Sequence, residues 1–301
     1  MAAGNGWLVV VDGTTPVGTA AVRVLRGRLD AVRVLATEAA RPVASVEVIH
    51  RLRVATRRAI AALDAFQDIV PRGSRGWLRK RLRRLRRAAG DARDLDVLTG
   101  RLEADGGRRA RMRLLAMLSR RRDASREPLR DAWAETAPRW DEHVEGALER
   151  AGSHGQGETF AAYARRRFRR RIDRFFGVAD RKLRDPDEIH QLRIEVKKLR
   201  YAFEIFSGAL DSRSRVKCQT GLERLQETLG AYTDHTAAVD RLERLARLDD
   251  VHSERTTLER LARSEQRLAS EARRAFVRWW DRARRRSLRR RLERTVRRQP
   301  A

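Results

Sequence analysis

Two stretches of this 301-residue chain place a histidine at the head of a cationic ladder. "IHRLRVATRR" (49–58) carries His50, Arg53, Arg57 and Arg58, and "IHQLRIEVKKLR" (189–200) carries His190, Arg193, Lys197, Lys198 and Arg200. At about 100° per residue, positions 190, 193, 197 and 200 fall within about 80° of one another, so on a helix they form one stripe about three turns long. His50, Arg53 and Arg57 repeat that stripe, with Ile60 in the fourth place. Like charges at these spacings cost a few tenths of a kcal/mol per pair on a solvated helix. An anion bridging them removes that cost. The histidine suits the same chemistry, because a neutral ring still donates one N–H and a nearby phosphate favours the charged form. Acid–base catalysis would need a partner carboxylate, and the stripe has none. A solvated basic face with an incidental histidine explains one copy well and two copies poorly.

The copies lie at a fixed offset of 140, which also aligns Leu52/Leu192, Phe66/Phe206, Leu82/Leu222, Leu85/Leu225, Gly90/Gly230, Asp94/Asp234 and Arg26/Arg166 without a gap. One offset over that range implies a duplication. Each half then reads as four helices, at 17–39, 45–70, 77–103 and 108–149, and at 158–181, 186–209, 213–247 and 252–297. Ile189, Leu192, Val196, Leu199, Phe203 and Phe206 recur at three and four, the period of an amphipathic helix. Ser45 and the Asp185-Pro186 pair are helix-start signals placing each histidine in a second turn. Short connections make successive helices antiparallel. The expected fold is all-α, two pseudo-symmetric four-helix bundles spanning 17–150 and 158–297, with a linker at 151–157 and tails at 1–16 and 298–301.

Lys and Arg number 69 against 41 Asp and Glu, a net charge of +28, so a polyanionic partner is the first expectation. Cys218 is the only cysteine, which excludes an internal disulfide or a thiolate metal cluster. No long uncharged apolar run or basic-headed leader occurs, so a soluble, cytoplasmic protein without membrane contact is expected. Aromatic residues make up 6% of the chain, few for a reader of single strands, and no zinc-finger or RNP-like spacing occurs. Nucleic acid is therefore the weaker alternative partner. No GxxxxGK loop is present, the six histidines form no metal triad by spacing, and the carboxylates of "DARDLD" (91–96) fall on several helix faces. Binding rather than catalysis is expected, without cofactor or metal.

The pattern His-x-Leu-Arg-(Val/Ile)-x-x-(Arg/Lys)-(Arg/Lys), at 50–58 and 190–198, resembles the signature of the CHAD family, the conserved-histidine α-helical domain. "AAGDARDLDVL" (88–98) and "LQETLGAYTD" (225–234) are similar to the segments that follow it in that family. The resemblance, over roughly residues 17 to 297, implies a basic channel or cavity between two helical halves. It also implies binding of inorganic polyphosphate and recruitment to polyphosphate granules. Its ligand positions fall on His50, Arg53, Arg57, Arg58, His190, Arg193, Lys197, Lys198 and Arg200. Departures such as "RRAIAAL" (57–63) suggest unequal contributions from the halves. Lys80 and Arg84 in "RKRLRRLRR", and Arg166 and Arg170 in "RRRFRRRIDR", are expected to extend the channel. Gly90 and Gly230 are expected at close helix crossings, and Asp94 and Asp234 are expected to pair with neighbouring cations. The sequence leaves oligomeric state open.

Overall fold

Leu, Ala and Phe at three- and four-residue spacing turn most of the chain into helix. The computed structural model describes residues 10–103, 108–154, 157–183, 185–248, 251 and 254–297. Eleven α-helices lie among them: α1 (Val17–Ala39), α2 (Val46–Ala65), α3 (Arg72–Glu103), α4 (Arg108–Ala124), α5 (Glu127–Thr136), α6 (Trp140–Ser153), α7 (Phe160–Ala179), α8 (Pro186–Phe206), α9 (Ser212–Ala246), α10 (Arg255–Trp279) and α11 (Arg282–Thr295). No named strand occurs among the described residues; Pro16 and Thr159 form an isolated bridge. The fold is all-α.

The helix starts follow the caps. The Ser45 hydroxyl accepts from the Val48 amide at 3.2 Å, and an Asp185 carboxylate oxygen accepts from the Glu188 amide at 2.8 Å. Each such cap is worth about 1 kcal/mol. α2 and α8 begin 140 residues apart, as do α3 and α9.

The final element of each half differs from the single helix expected. Pro128 begins a new helix and Pro138 forces the 3-10 turn Ala137–Arg139, so 108–149 divides into α4, α5 and α6. Asp281 caps a fresh helix by accepting from the Arg284 amide at 2.7 Å, which divides 252–297 at Trp280. α3 starts at Arg72 rather than 77, because the Pro71 carbonyl already accepts from the Arg75 amide at 3.0 Å. α2 stops at Ala65 rather than 70, where Phe66 closes a turn onto Ile69 and Val70.

One apolar cluster runs through both sets of helices, and α2 lies against α8 at its centre. Phe66, Phe160, Tyr163 and Phe206 gather there, with Phe66 6.0 to 6.2 Å from the other three ring centroids. The Tyr163 hydroxyl donates to the Ala65 carbonyl at 2.8 Å, and burial pushes its pKa up. Half-buried Glu204 accepts buried Arg28 at 3.0 Å and pairs with Arg58 at 3.2 Å, tying α1 and α2 to α8. Residues 10–16 brace the start of α7: the Ala161 amide donates to the Gly13 carbonyl at 2.9 Å and the Phe160 amide to Thr15 at 2.8 Å. Gly208 is needed there, since a Cβ would lie 2.3 Å from the Val11 carbonyl oxygen. A smaller cluster, including Leu98, Leu118, Leu242 and Leu258, joins the far ends of α3 and α9 to α4 and α10. No helix among the described residues is long and apolar enough to cross a membrane.

Candidate functional site

The α2–α8 contact leaves a cleft of about 850 Å³, walled by α3 and α7. Eleven cations line it: Arg53 and Arg57 on α2, Arg79, Arg83, Arg86 and Arg87 on α3, Arg167, Arg171 and Arg174 on α7, and Lys197 and Lys198 on α8. Asp64 and Asp94 are the carboxylates of the wall, and Ile60, Ala61, Ile194 and Phe206 are among its apolar members. Helical phase explains the convergence. On α3 the arginines at 79, 83 and 86 each follow a buried leucine, at 78, 82 and 85. On α7 those at 167, 171 and 174 each precede a buried residue, Phe168, Ile172 and Phe175. Opposite flanks of the two helices, each about 100° from its core line, therefore face one space.

Some of these charges have partners. Arg79 is ion-paired with Asp64, Lys198 lies 2.6 Å from Glu195, Arg171 3.5 Å from the same carboxylate, and Arg167 3.3 Å from Asp68. Arg53, Arg57, Arg83, Arg86, Arg87, Arg174 and Lys197 make no ion pair among the described residues. Burial, followed by repulsion from Arg57, pushes down the pKa of Arg53 and of Arg86. Burial also lowers the Lys197 ammonium to about 8, with Arg193 and Arg57 adding repulsion. Fixed, partly desolvated cations of one sign favour an anion with several charges.

Carboxylates at one end orient the set. Asp94 accepts Arg241 at 2.6 Å, Asp234 accepts Arg193 at 3.2 Å, and both pair with cations as the sequence suggested. Beyond them Glu265 joins Arg101 to His235, whose Nδ1 lies 2.6 Å away. Gly90 serves the cleft through a side chain rather than a helix crossing, since a Cβ there would lie 2.9 Å from Arg53 Nη1. Gly230 has no comparable neighbour, the nearest atom being Asp234 Oδ2 at 4.0 Å. Among the described residues no group of three or more His, Cys, Asp or Glu is placed to hold a metal; the Asp91 and Asp96 side chains lie outside them.

The CHAD domain model matches residues 23–243, most of the chain. The chain belongs to the CHAD family. Its fold is similar to the crystal structure of the CHAD domain from the plant Ricinus communis, at 23% identity and a TM-score of 0.71, covering 90% of this chain and 94% of that one. It is also similar to PptA from Streptomyces chartreusis, at 20% identity and a TM-score of 0.59, covering 88% and 99% respectively. No curated protein matches it.

The CHAD signature residues are divided by the fold. Arg53, Arg57, Lys197 and Lys198 meet in the cleft. Arg193 stands beside it, held by Asp234 and close enough to lower the Lys197 pKa. Arg200 lies over the Tyr201 ring, 4.8 Å from its centroid. Arg58 is not in the cleft wall, because Glu204 holds it on the α1 side. His50 is half-buried and His190 exposed, and neither lines the cleft. The four outlying cations expected to extend the CHAD channel also lie elsewhere. Arg84 pairs with Glu135 and Arg166 with Glu158 at 3.1 Å, while Lys80 and Arg170 are exposed. Spacing in the sequence points to Lys80, Arg84, Arg166 and Arg170, whereas the residues of α3 and α7 that line the cleft are Arg79, Arg83, Arg86, Arg87, Arg167, Arg171 and Arg174, on another flank of the same segments. Adjacency to a buried position identifies a flank; which flank meets a neighbour depends on the packing of α3 and α7 against α2 and α8.

Proposed function

We propose that this CHAD protein binds inorganic polyphosphate in the cleft between α2, α3, α7 and α8, as a binding protein rather than an enzyme. The observation carrying this reading is the set of eleven cations against two carboxylates around one cavity, seven of the cations without an ion pair among the described residues. Guanidinium forks match phosphoryl oxygens and stay charged at every physiological pH, so a chain with one negative charge or more per phosphate neutralises them in sequence. Family membership supports the same ligand. Nucleic acid has less support: the aromatic members of the wall, Tyr201 and Phe206, are 7% and 1% exposed and offer no stacking platform. In the cell we place the protein in the cytoplasm, at polyphosphate granules where these form.

The test is a competition titration of long-chain polyphosphate against DNA of equal total charge, with affinity followed across salt. Polyphosphate should win, and log K should fall with log salt at about 0.7 per neutralised phosphate, the slope typical of single strands. Equal competition by DNA would transfer the function to the nucleic-acid alternative.

A further inference from the structure

A second basic pocket lies on the other side of α7. Arg282, Arg285, Arg286 and Arg289 recur at i, i+3, i+4 and i+7 along α11 and, with Asp180, enclose about 310 Å³. Asp180 lies twelve residues beyond Phe168, which turns it about 120° to one side of the buried line of α7. Arg171 and Arg174 lie to the other side. The two basic sites therefore occupy opposite flanks of one helix.

Half of this cluster has structural work. Arg289 donates to Asp180 Oδ2 at 2.8 Å and covers the Phe176 ring, 4.3 Å from its centroid. Arg285 donates to the Trp280 carbonyl at 2.9 Å and stands 3.9 Å from Asp180 Oδ1. A carboxylate just after the C-terminus of α7 opposes the helix dipole, so it needs these two cations. Arg282 and Arg286 are different: both are exposed and pair with no carboxylate among the described residues. Four guanidinium groups face one carboxylate, leaving three positive charges uncompensated on two turns of helix.

We propose that this pocket binds a short condensed phosphate of the size of pyrophosphate or tripolyphosphate. Positions 282 and 289 are about 10 Å apart along the axis, the reach of two or three linked phosphoryl groups and more than one phosphate ion can bridge. Guanidinium forks engage phosphoryl oxygens in pairs, which suits a ligand carrying several per unit length. The pocket lining is four arginines and Asp180, without an aromatic face for a base. The pocket stands apart from the cleft, and its ligand does not depend on what the cleft holds.

The experiment is isothermal titration of tripolyphosphate into the full chain carrying Arg57→Gln and Lys197→Gln, which weakens the cleft. One tripolyphosphate per chain should still bind. Adding Arg282→Gln and Arg286→Gln should weaken that binding at least about tenfold, since a hydrogen bond to a charged group is worth about 1.5 kcal/mol or more and 1.4 kcal/mol is tenfold. Both side chains are exposed, so helicity by circular dichroism should be unchanged. Asp180→Asn should strengthen binding severalfold by removing the opposing charge. Absence of binding to the cleft variant, or unchanged affinity after Arg282→Gln/Arg286→Gln, overturns the pocket and leaves the cleft reading intact. Full retention of long-chain binding by Arg57→Gln/Lys197→Gln would count against the cleft and leave the pocket standing.

Discussion

α3 and α9 share a buried face and differ in charge. Leu82, Leu85 and Ala89 on α3 and Leu222, Leu225 and Leu229 on α9, 140 residues later, are all buried. Beside that face, Arg79, Arg83, Arg86 and Arg87 on α3 correspond in sequence to Gln219, Glu223, Gln226 and Glu227 on α9. α7 and α1 differ likewise, with Gly27, Ala31 and Val34 standing 140 residues before Arg167, Arg171 and Arg174. The positions that pack tolerate little change, because a core residue answers to its neighbours' volumes. Flank residues answer to whatever lies in the groove. The cleft takes α3 from one half and α7 from the other, so its charge is not a property of either half alone.

The largest break in this contrast should come from removing its centre. Arg53→Gln, Arg57→Gln and Lys197→Gln together should weaken long-chain polyphosphate binding about a thousandfold, at about 1.5 kcal/mol for each charged contact. Helicity by circular dichroism should stay unchanged. The paired glycines sharpen the contrast at one residue each. Gly90→Ala drives a methyl toward Arg53 and should cost severalfold in affinity. Gly230→Ala meets nothing closer than Asp234 Oδ2 at 4.0 Å, so affinity should hold while stability rises by up to about 1 kcal/mol from helix propensity, read as a higher Tm.

Protonation provides a smaller effect. Lys197, lowered to about 8, is charged below that pH, and a bound polyanion favours its charged form. Binding therefore takes up a proton above about pH 8, and affinity should fall from pH 7 to pH 9.5, by less than tenfold per pH unit for one group. Lys197→Arg should flatten that profile. The smallest effect is expected at His190, exposed and outside the cleft wall, where alanine should change affinity less than about twofold between pH 5 and 8.

The sequence made the helices legible because caps and apolar spacing are local. Ser45 and Asp185 start α2 and α8 where their side chains predict. Proline cost it the last element of the first half: Pro128 and Pro138 interrupt a run whose apolar spacing alone suggests one helix. In the cleft, Arg53, Arg57, Lys197 and Lys198 were readable from a repeated motif, whereas the arginine walls were not. Arg83 and Arg84 are chemically identical neighbours, and only the packing sends one to the cleft and the other to Glu135. Arg58 has the motif's spacing and is turned to Glu204 by the α2–α8 contact, a long-range event that no local pattern encodes.

One measurement separates placed charge from total charge: the affinity of long-chain polyphosphate, at a single salt concentration, for Arg83→Gln/Arg87→Gln and for Glu223→Gln/Glu227→Gln. The first pair removes two cleft cations and should weaken binding about a hundredfold, at about 1.5 kcal/mol per contact. The second adds the same two units of net positive charge to α9 and should leave affinity within about twofold. Equal and opposite shifts in the two variants would contradict a cleft and leave a polyanion held by net charge alone.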